Sequence, residues 1–401
     1  MVLWKEIEAA QDRIRKVILR TSAIHSDTLS RLVGKEVFLK LENLQKTGSF
    51  KIRGAYNKLS QLPASVRKKG VVAASAGNHA QGVALASSLL GIHSTIVMPE
   101  GVSLAKQMAT QAYGGEIILF GQNTDEALGH AKKLAKSGKP FIHPFDDEQI
   151  IAGQGTIGLE ILEEVPGAEA ILVPTGGGGL ISGIAAIVKK RRPEVRIIGV
   201  QAAHAPSAFY SVKKKRIVEV KASPTLADGI AIRKVGEMTF PLIQEWVDEI
   251  VTVGEDEIAS AILLLMERTR IVAEGAGATP LAALVSDKLK TRSKRIVLVI
   301  SGGNIDFHLL DRIIEKGLAR TGRVVRMSIL LRDVPGALAK LTNLIGQHRA
   351  NILHIIHERA ARDVPIGFSK VILVLETRGS EHIREIKRGF KEKGYALQVL
   401  S

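Results

Sequence analysis

Cysteine is absent from all 401 residues. Its absence excludes disulfides, thiolate zinc sites, iron–sulfur clusters and cysteine nucleophiles. No apolar run is long enough to span a bilayer. The opening residues, Met1-Val2-Leu3-Trp4-Lys5-Glu6-Ile7-Glu8, turn charged and helical at once, with no apolar signal core, so a cytoplasmic protein is expected. Acidic side chains are in deficit: 56 lysines and arginines face 40 aspartates and glutamates, leaving +16. The basic clusters Arg67-Lys68-Lys69, Lys189-Lys190-Arg191-Arg192 and Lys213-Lys214-Lys215-Arg216 fall at expected helix ends or in loops. They lack interleaved aromatics and any recognisable nucleic-acid module. They read as a solvated basic surface that favours anions at long range. Neither nucleic acid nor a membrane is expected as partner.

From about Gly70 short apolar strands alternate with amphipathic helices, the pattern of an α/β protein with parallel sheets. Strands are expected at 71–74, 93–98, 116–120, 170–174 and 195–200. Arg295 to Ile300 is apolar enough to be a central strand. Helices are expected at 78–90, 104–113, 124–136, 148–164, 180–191 and 307–320. Thr321-Gly322 is a stop signal, and a domain boundary is placed near residue 322.

The stretch Lys46-Thr47-Gly48-Ser49-Phe50-Lys51-Ile52-Arg53-Gly54-Ala55 organises the chain. It follows an alternating run, 37–44, expected to be a strand, and leads into a helix over 52–59. Lys51 therefore stands at a strand-to-helix corner. A lysine in a partly dry corner loses some preference for its charged form, and the neutral amine can condense with a carbonyl. A solvated loop lysine is the plain alternative; three later loops argue against it. Ser75-Ala76-Gly77-Asn78-His79 joins a strand to a helix whose amino end suits a carboxylate or phosphate, although an ordinary capped turn has the same shape. Thr175-Gly176-Gly177-Gly178-Gly179 carries four consecutive glycines, each costing roughly 0.5–1 kcal/mol of folding entropy against alanine. Such a run points to backbone amides packed around a phosphate. It is neither a Walker loop nor the dinucleotide fingerprint. Ser301-Gly302-Gly303-Asn304 ends the expected central strand, where open α/β sheets place ligands.

A reactive lysine, a glycine phosphate cup and a carboxylate-sized helix terminus describe a pyridoxal phosphate site acting on an amino acid. The segments 40–55, 75–82, the glycine run and 301–304 resemble the threonine dehydratases (threonine ammonia-lyases), within the tryptophan-synthase-like pyridoxal phosphate enzymes. The resemblance covers residues 1–320. It implies the two-domain, fold-type II architecture of tryptophan synthase β: a large domain of residues 1–48 and 146–320, and a small one, 49–145, inserted between.

The resemblance also implies roles. Lys51 should carry the cofactor as an internal aldimine and shuttle the Cα proton. Phe50 should lie against the pyridine ring, Asn78 should hydrogen-bond its phenolic oxygen, and Ser301 should face its nitrogen. Gly176, Gly177, Gly178 and Gly179 should hold the phosphate. Ser75, Ala76, Gly77 and His79 form the loop that takes the substrate carboxylate. Glu274 matches a family position near the site, with a helix-start carboxylate beside the dipole as the alternative. A serine at the ring nitrogen is too weak an acid to keep it protonated, so elimination of a β-hydroxyl competes better with reprotonation. L-Threonine would give 2-oxobutyrate and ammonia, and L-serine would give pyruvate.

Two departures matter. Related serine racemases carry a second serine where this chain has Ala76, which argues against racemisation. Relatives that bind a divalent cation place acidic residues where this chain has Gln201-Ala202-Ala203-His204-Ala205-Pro206-Ser207. No divalent metal is expected there, with room left for a monovalent cation.

Residues 323–401 read as strand, helix, strand, strand, helix, strand, a ferredoxin-like βαββαβ unit. The Asp333-Val334-Pro335-Gly336 turn, Asn351-Ile352 and the Asp363–Gly367 hairpin resemble the ACT domain, a regulatory amino-acid sensor. The resemblance implies an effector, isoleucine or valine, near Asp333, Gly336 and Asn351, and a homodimer or homotetramer. A unit used only to dimerise is the alternative. Rival readings of the whole chain are a racemase or β-replacement relative, and a non-catalytic amino-acid-responsive regulator.

Overall fold

The computed structural model describes residues 3–136, 138–286 and 288–400. Met1 and Val2, part of the expected helical start, lie outside the described residues. Along the chain the strands are β1 (Ala23–His25), β2 (Glu36–Leu41), β3 (Val71–Ala74), β4 (Ser94–Met98), β5 (Glu116–Leu119), β6 (Ala170–Pro174), β7 (Arg196–Ala202), β8 (Glu249–Val253), β9 (Arg295–Ile300), β10 (Val324–Arg332), β11 (Asn351–Glu358), β12 (Phe368–Glu376) and β13 (Leu397–Val399). They form three sheets, ordered β1-β2-β9-β6-β7-β8, β3-β4-β5 and β11-β12-β10-β13. β9 lies inside the first sheet, as its apolar run implied.

The chain divides into two compact units, 1–305 and 306–401. This division falls ahead of the sequence boundary near 322 and leaves the helix Phe307–Arg320 with the second unit.

In the first unit, β2, β9, β6, β7 and β8 run parallel, with β1 antiparallel at one edge. β3, β4 and β6 are buried along their whole length. That is why they read as unbroken apolar runs rather than alternating ones. The small sheet gains a parallel bridge between Val72 and Phe141, which ties the start of the segment leading to the helix Glu148–Glu164 to β3.

The helix Glu148–Glu164 joins the parts that matter. Asp147 caps it, accepting from Gln149 N and Ile150 N. A Cβ on Gly153 would lie 2.6 Å from the Arg53 carbonyl, and one on Gly155 would lie 2.8 Å from the Gly183 carbonyl. Glycine thus lets this helix press on the Lys51–Ser60 helix on one side and the Gly179–Arg191 helix on the other. The loops before both helices are fixed through one element.

A buried ionic network reinforces the first contact. Arg53, fully buried, donates to both oxygens of Glu42 (2.8 and 2.8 Å) and both of Glu160 (2.8 and 2.7 Å). Lys40 Nζ reaches Glu160 at 2.7 Å, and Thr21 Oγ1 donates to Glu42. Burial works against the Arg53 charge, but Glu42 and Glu160 outweigh it and hold the guanidinium above its ordinary value. This network corrects the expected strand over 37–44. β2 stops at Leu41, and Glu42–Leu44 turns into a 3-10 helix, because Glu42 must meet Arg53 and Asn43 Nδ2 must donate to the Val272 carbonyl (3.1 Å). Apolar alternation cannot register such side-chain demands.

After the helix Phe307–Arg320, the second unit has the expected βαββαβ order. Its antiparallel sheet packs Met327, Ile329, Val371 and Leu373 against Leu341, Ile345, Ile386 and Phe390 of the helices Ala337–Gln347 and Ser380–Glu392. β11 is an edge strand, with Leu353, Ile355 and Ile356 exposed.

Candidate active site

Lys51 is the first residue of the helix Lys51–Ser60, with Phe50 at its N-cap. The approach to it is paired with the last motif. Phe50 N donates to the Ser301 carbonyl (3.2 Å), Gly303 N donates to the Gly48 carbonyl (2.9 Å), and Ser49 bridges Gly302. The Lys51 amine donates to the Pro144 carbonyl (2.9 Å) and lies 5.2 Å from the Phe50 ring centroid. Burial lowers its ammonium to about 8, against the pull of Glu274, which favours the charge. About a tenth of it is then neutral at pH 7, where an ordinary lysine is almost wholly charged.

The glycine loop meets the same segment. Gly178, at φ +101°, caps the helix Gly179–Arg191, and no side chain closes that amino end. The Gly177 carbonyl accepts from Gly236 N (3.1 Å) and Thr239 Oγ1 (2.6 Å). Across a planar trans peptide the next N–H points the opposite way, so Gly178 N–H turns away from that segment. A helix amino end with free amides is an anion cradle. The outer side of the loop also demands glycine. A Cβ on Gly177 would enter the Phe145 ring, and one on Gly179 would lie 2.8 Å from the Phe145 carbonyl. Close packing therefore requires these glycines together with any phosphate, a reason absent from the sequence reading. Pro144 and Phe145 thus join Lys51 to the cradle.

Neighbouring residues pin that joint. Asp146 accepts from Glu237 N (3.0 Å), Met238 N (2.9 Å) and Thr239 N (3.2 Å). His143 Nδ1 accepts from Asp146 N (2.7 Å) and Phe145 N (3.3 Å). Burial lowers His143 to about 4, which leaves the ring neutral and able to accept.

In the second loop Ser75 Oγ accepts from Gly77 N (3.2 Å). Gly77 faces open space and caps the helix Asn78–Leu89, an arrangement a ligand carboxylate can approach, with Ala76 beside it. The His79 ring is elsewhere. It is buried, its Nε2 meets the Ile142 carbonyl at 2.9 Å, and burial together with the Lys51 charge lowers it to about 3. Only the backbone N–H of His79 remains for a substrate.

Asn78 Nδ2 donates to both oxygens of Glu274 (2.8 and 2.9 Å), and its Oδ1 accepts from Asn304 Nδ2 (2.7 Å). Glu274 occupies the N-cap position of the helix Gly275–Val285, yet its side chain makes no cap bond. Glu274 therefore stands at the helix start, as the alternative has it, while its carboxylate faces Asn78. Burial raises it to about 7, opposed by the Asn78 bond. Ser301 is buried at the end of β9.

A neutral-prone amine, an uncapped helix amino end, an amide donor and a buried hydroxyl fit pyridoxal phosphate in aldehyde, phosphate, phenolic oxygen and ring nitrogen. Fold and site define an α/β enzyme built around a lysine-bound cofactor, followed by a small βαββαβ unit. Residues 14–302 match the family model described as pyridoxal-phosphate dependent enzyme, and 325–388 match the ACT domain. The chain belongs to the pyridoxal-phosphate dependent enzyme family, in the fold-type II arrangement, with a C-terminal ACT domain. It is 50% identical to an L-threonine ammonia-lyase of Thermotoga maritima over 401 residues, all of both chains. The processed threonine deaminase isoform 2 of Solanum lycopersicum aligns at TM-score 0.75 and 38% identity, covering 78% of this chain and 87% of that one. Maize serine racemase aligns at TM-score 0.74 and 35% identity, covering 79% and 98%.

The candidate effector residues are not gathered. Asp333 accepts from Arg359 Nε (2.9 Å), and Asp333 N donates to the Gly367 carbonyl (2.9 Å). Gly336, at φ +81°, caps the helix Ala337–Gln347. Asn351, however, pairs with Glu376, whereas Phe368 at the other end of β12 pairs with Arg332, next to Asp333. The length of β12, roughly 26 Å at about 3.3 Å per residue, separates Asn351 from the other two within one chain.

Asn304, Pro144, Phe145 and Asp146 took no part in the sequence reading of the site. Asn304 lay inside a quoted motif, where its amide was the available signal. Residues 144–146 carried none, because their contribution is chiefly backbone and packing.

Proposed function

We propose that this chain deaminates L-threonine to 2-oxobutyrate and ammonia, and L-serine to pyruvate, in the cytoplasm. One observation carries the reading: the Lys51 amine, lowered to about 8, shares the Pro144–Phe145 segment with the uncapped glycine loop. The full-length likeness to the Thermotoga maritima L-threonine ammonia-lyase supports the choice of substrate.

Pyridoxal phosphate, when bound, supplies an electron-accepting ring that makes the substrate Cα proton acidic. The amides of Gly176, Gly177, Gly178 and Gly179 would hold the phosphate, and Phe50 would lie against the ring. Asn78 donates its second N–H to the phenolic oxygen. Ser75, Gly77 and the backbone N–H of His79 take the substrate carboxylate. Lys51 Nζ receives the Cα proton, an assignment that suits a base whose value lies near working pH. Ser301, a weak acid, would face the ring nitrogen and would not protonate it, so departure of the β-hydroxyl would compete better. The substrate loses its Cα proton and β-hydroxyl as water, giving an aminocrotonate. Its imine tautomer takes the water back and yields 2-oxobutyrate and ammonia. Ala76 carries no hydroxyl to return a proton on the opposite face, which favours this reading over racemisation.

The catalytic parts are residues 1–48 with 146–320 and the inserted 49–145; residues 323–401 regulate. The stretch 201–207 offers no carboxylate to a divalent metal, and a monovalent cation is the ion proposed for the enzyme. The effector is isoleucine, with valine the second choice, because 2-oxobutyrate is its carbon source. The protein is a homodimer or homotetramer. Antiparallel pairing of β11 with its copy would carry Asn351 of the partner subunit toward Asp333 and Gly336, and the exposed apolar edge residues support such pairing.

The test is keto-acid release from L-threonine, L-serine and their D-isomers, with chiral analysis of a partly consumed L-serine reaction. Release from the L-isomers without D-serine is expected. D-Serine forming as fast as pyruvate would overturn the assignment.

A further inference from the structure

Asn78 is the residue whose amide orientation decides whether the phenolic oxygen meets a donor or an acceptor. Side-chain amides are nearly symmetric in shape, so only their neighbours fix which end is which. Here the neighbours form a chain with one starting point. The Thr47 carbonyl can only accept. Asn304 Nδ2 lies 2.8 Å from it, so that end of the Asn304 amide must be the NH2. Its second hydrogen is directed to Asn78 Oδ1 at 2.7 Å, so the facing atom of Asn78 must be the oxygen. The opposite end of Asn78 is then its NH2, which meets both oxygens of Glu274. A flipped Asn78 would set NH2 against NH2 at Asn304 and, whenever Glu274 is ionised, oxygen against two oxygens.

The backbone at Gly48 gives Asn304 its place. Gly48 has φ +67°, a conformation few side chains adopt, and a Cβ there would collide with Asn304 Oδ1. A Cβ on Gly302 would lie 2.5 Å from Glu274 Oε1 and 3.2 Å from Asn78 Nδ2. Both glycines keep room for the chain. Asn304 itself is exposed, so its grip rests on its two short bonds to Thr47 and Asn78, with Gln81 Oε1 a longer third acceptor at 3.4 Å.

We infer that Asn304 and Glu274 are positioning residues that lock Asn78 with one N–H committed to Glu274 and the other free for the cofactor's phenolic oxygen. The inference rests on the proposed contact between Asn78 and that oxygen. The information passes from the Thr47 carbonyl through Asn304, and Glu274 closes the far side. Asn304→Asp keeps the shape but replaces the donor with acceptors, and so favours the flipped Asn78.

The experiment uses the full chain and pyridoxal phosphate itself. Cofactor dissociation constants and the position of the visible absorbance band are measured for wild type, Asn78→Ala, Asn304→Asp, Asn304→Ala and Asn78→Ala/Asn304→Asp, with circular dichroism to confirm folding. Asn78→Ala is expected to weaken cofactor binding about tenfold, one hydrogen bond's worth, and to move the band. Asn304→Asp should do the same and Asn304→Ala somewhat less. The double variant should be no worse than Asn78→Ala, because Asn304 acts only through Asn78. If Asn78→Ala changes neither readout, the Asn78 contact itself is wrong. If Asn78→Ala acts while both Asn304 variants bind and absorb as wild type, the lock is wrong and the contact stands. Losses that multiply in the double variant also overturn the lock, since they show that Asn304 acts independently. Should Asn304→Asp fail to fold, Asn304→Ala carries the same comparison.

Discussion

The first unit gathers its motifs within one chain, whereas the second leaves its candidate effector residues at opposite ends of one sheet. Lys51, Gly177, Asn78 and Ser301 come from loops spread over some 250 residues of sequence, yet backbone bonds and shared neighbours tie all four together. Asp333 and Asn351 are neighbours in sequence by comparison, yet a whole strand keeps them apart. The polar networks differ in the same sense. Arg53, Glu42 and Glu160 are buried and mutually satisfied, while Arg359–Asp333 and Lys370–Asp363 lie at the surface. Buried and surface pairs of the same geometry differ several-fold in the cost of breaking them. The lesson is that the candidate catalytic residues meet within one copy, and the candidate effector residues do not.

That contrast can be broken at its strongest point first. Lys51→Ala should fold as wild type by circular dichroism, yet turn over L-threonine at least about 1000-fold more slowly, as expected when the residue that attacks and moves the proton is removed. Next comes the frame under Lys51. Arg53→Met leaves Glu42 and Glu160 facing each other in the interior, and urea unfolding should show a loss of about 3–5 kcal/mol. Arg359→Met, at the surface of the second unit, should cost under about 1 kcal/mol in the same measurement. Equal losses would erase the difference between the two regions.

These two arginines also show how far the sequence could be read. Lys51, the glycine run and the βαββαβ order are written in residue types and spacing, which survive in one dimension. Arg53 was quoted in the motif without a role, because its partners stand 11 and 107 residues away and ion pairing leaves no periodicity. The same reason hid Pro144, which serves Lys51 with a carbonyl that every residue has. His79 lies in the first turn of the helix Asn78–Leu89, and nothing local says that its ring turns toward Ile142. Asn351 was chosen by resemblance to a domain whose ligand residues need not lie in one copy.

The second unit provides the next tests. Truncation after Gly322 should leave threonine turnover intact and abolish any response to isoleucine or valine. A truncated chain that still responds would place the effector site elsewhere. Ile355→Lys, on the exposed edge of β11, should lower the oligomeric state by light scattering and remove the effector response together, with turnover kept. A monomeric variant that still responds would mean that one copy suffices, and the contrast between the units would fall. Typical coupling of about 1–3 kcal/mol sets the size of the response to be lost.

The smallest effect sharpens the site itself. Because burial lowers the Lys51 ammonium to about 8, its neutral fraction rises about tenfold per pH unit below that value and levels off above it. Pyridoxal phosphate should therefore load onto the cofactor-free protein faster with rising pH, reach half its plateau near pH 8 and level off by about pH 9. A rate still climbing at pH 10 would return Lys51 to an ordinary solvated lysine.

The most direct measurement asks which lysine holds the cofactor. The loaded protein is reduced with borohydride, digested, and its peptides are weighed. The account predicts one pyridoxyl adduct, on the peptide containing Lys51, formed in wild type and missing from Lys51→Ala. An adduct on any other lysine of the wild-type protein, with Lys51 unmodified, would contradict it.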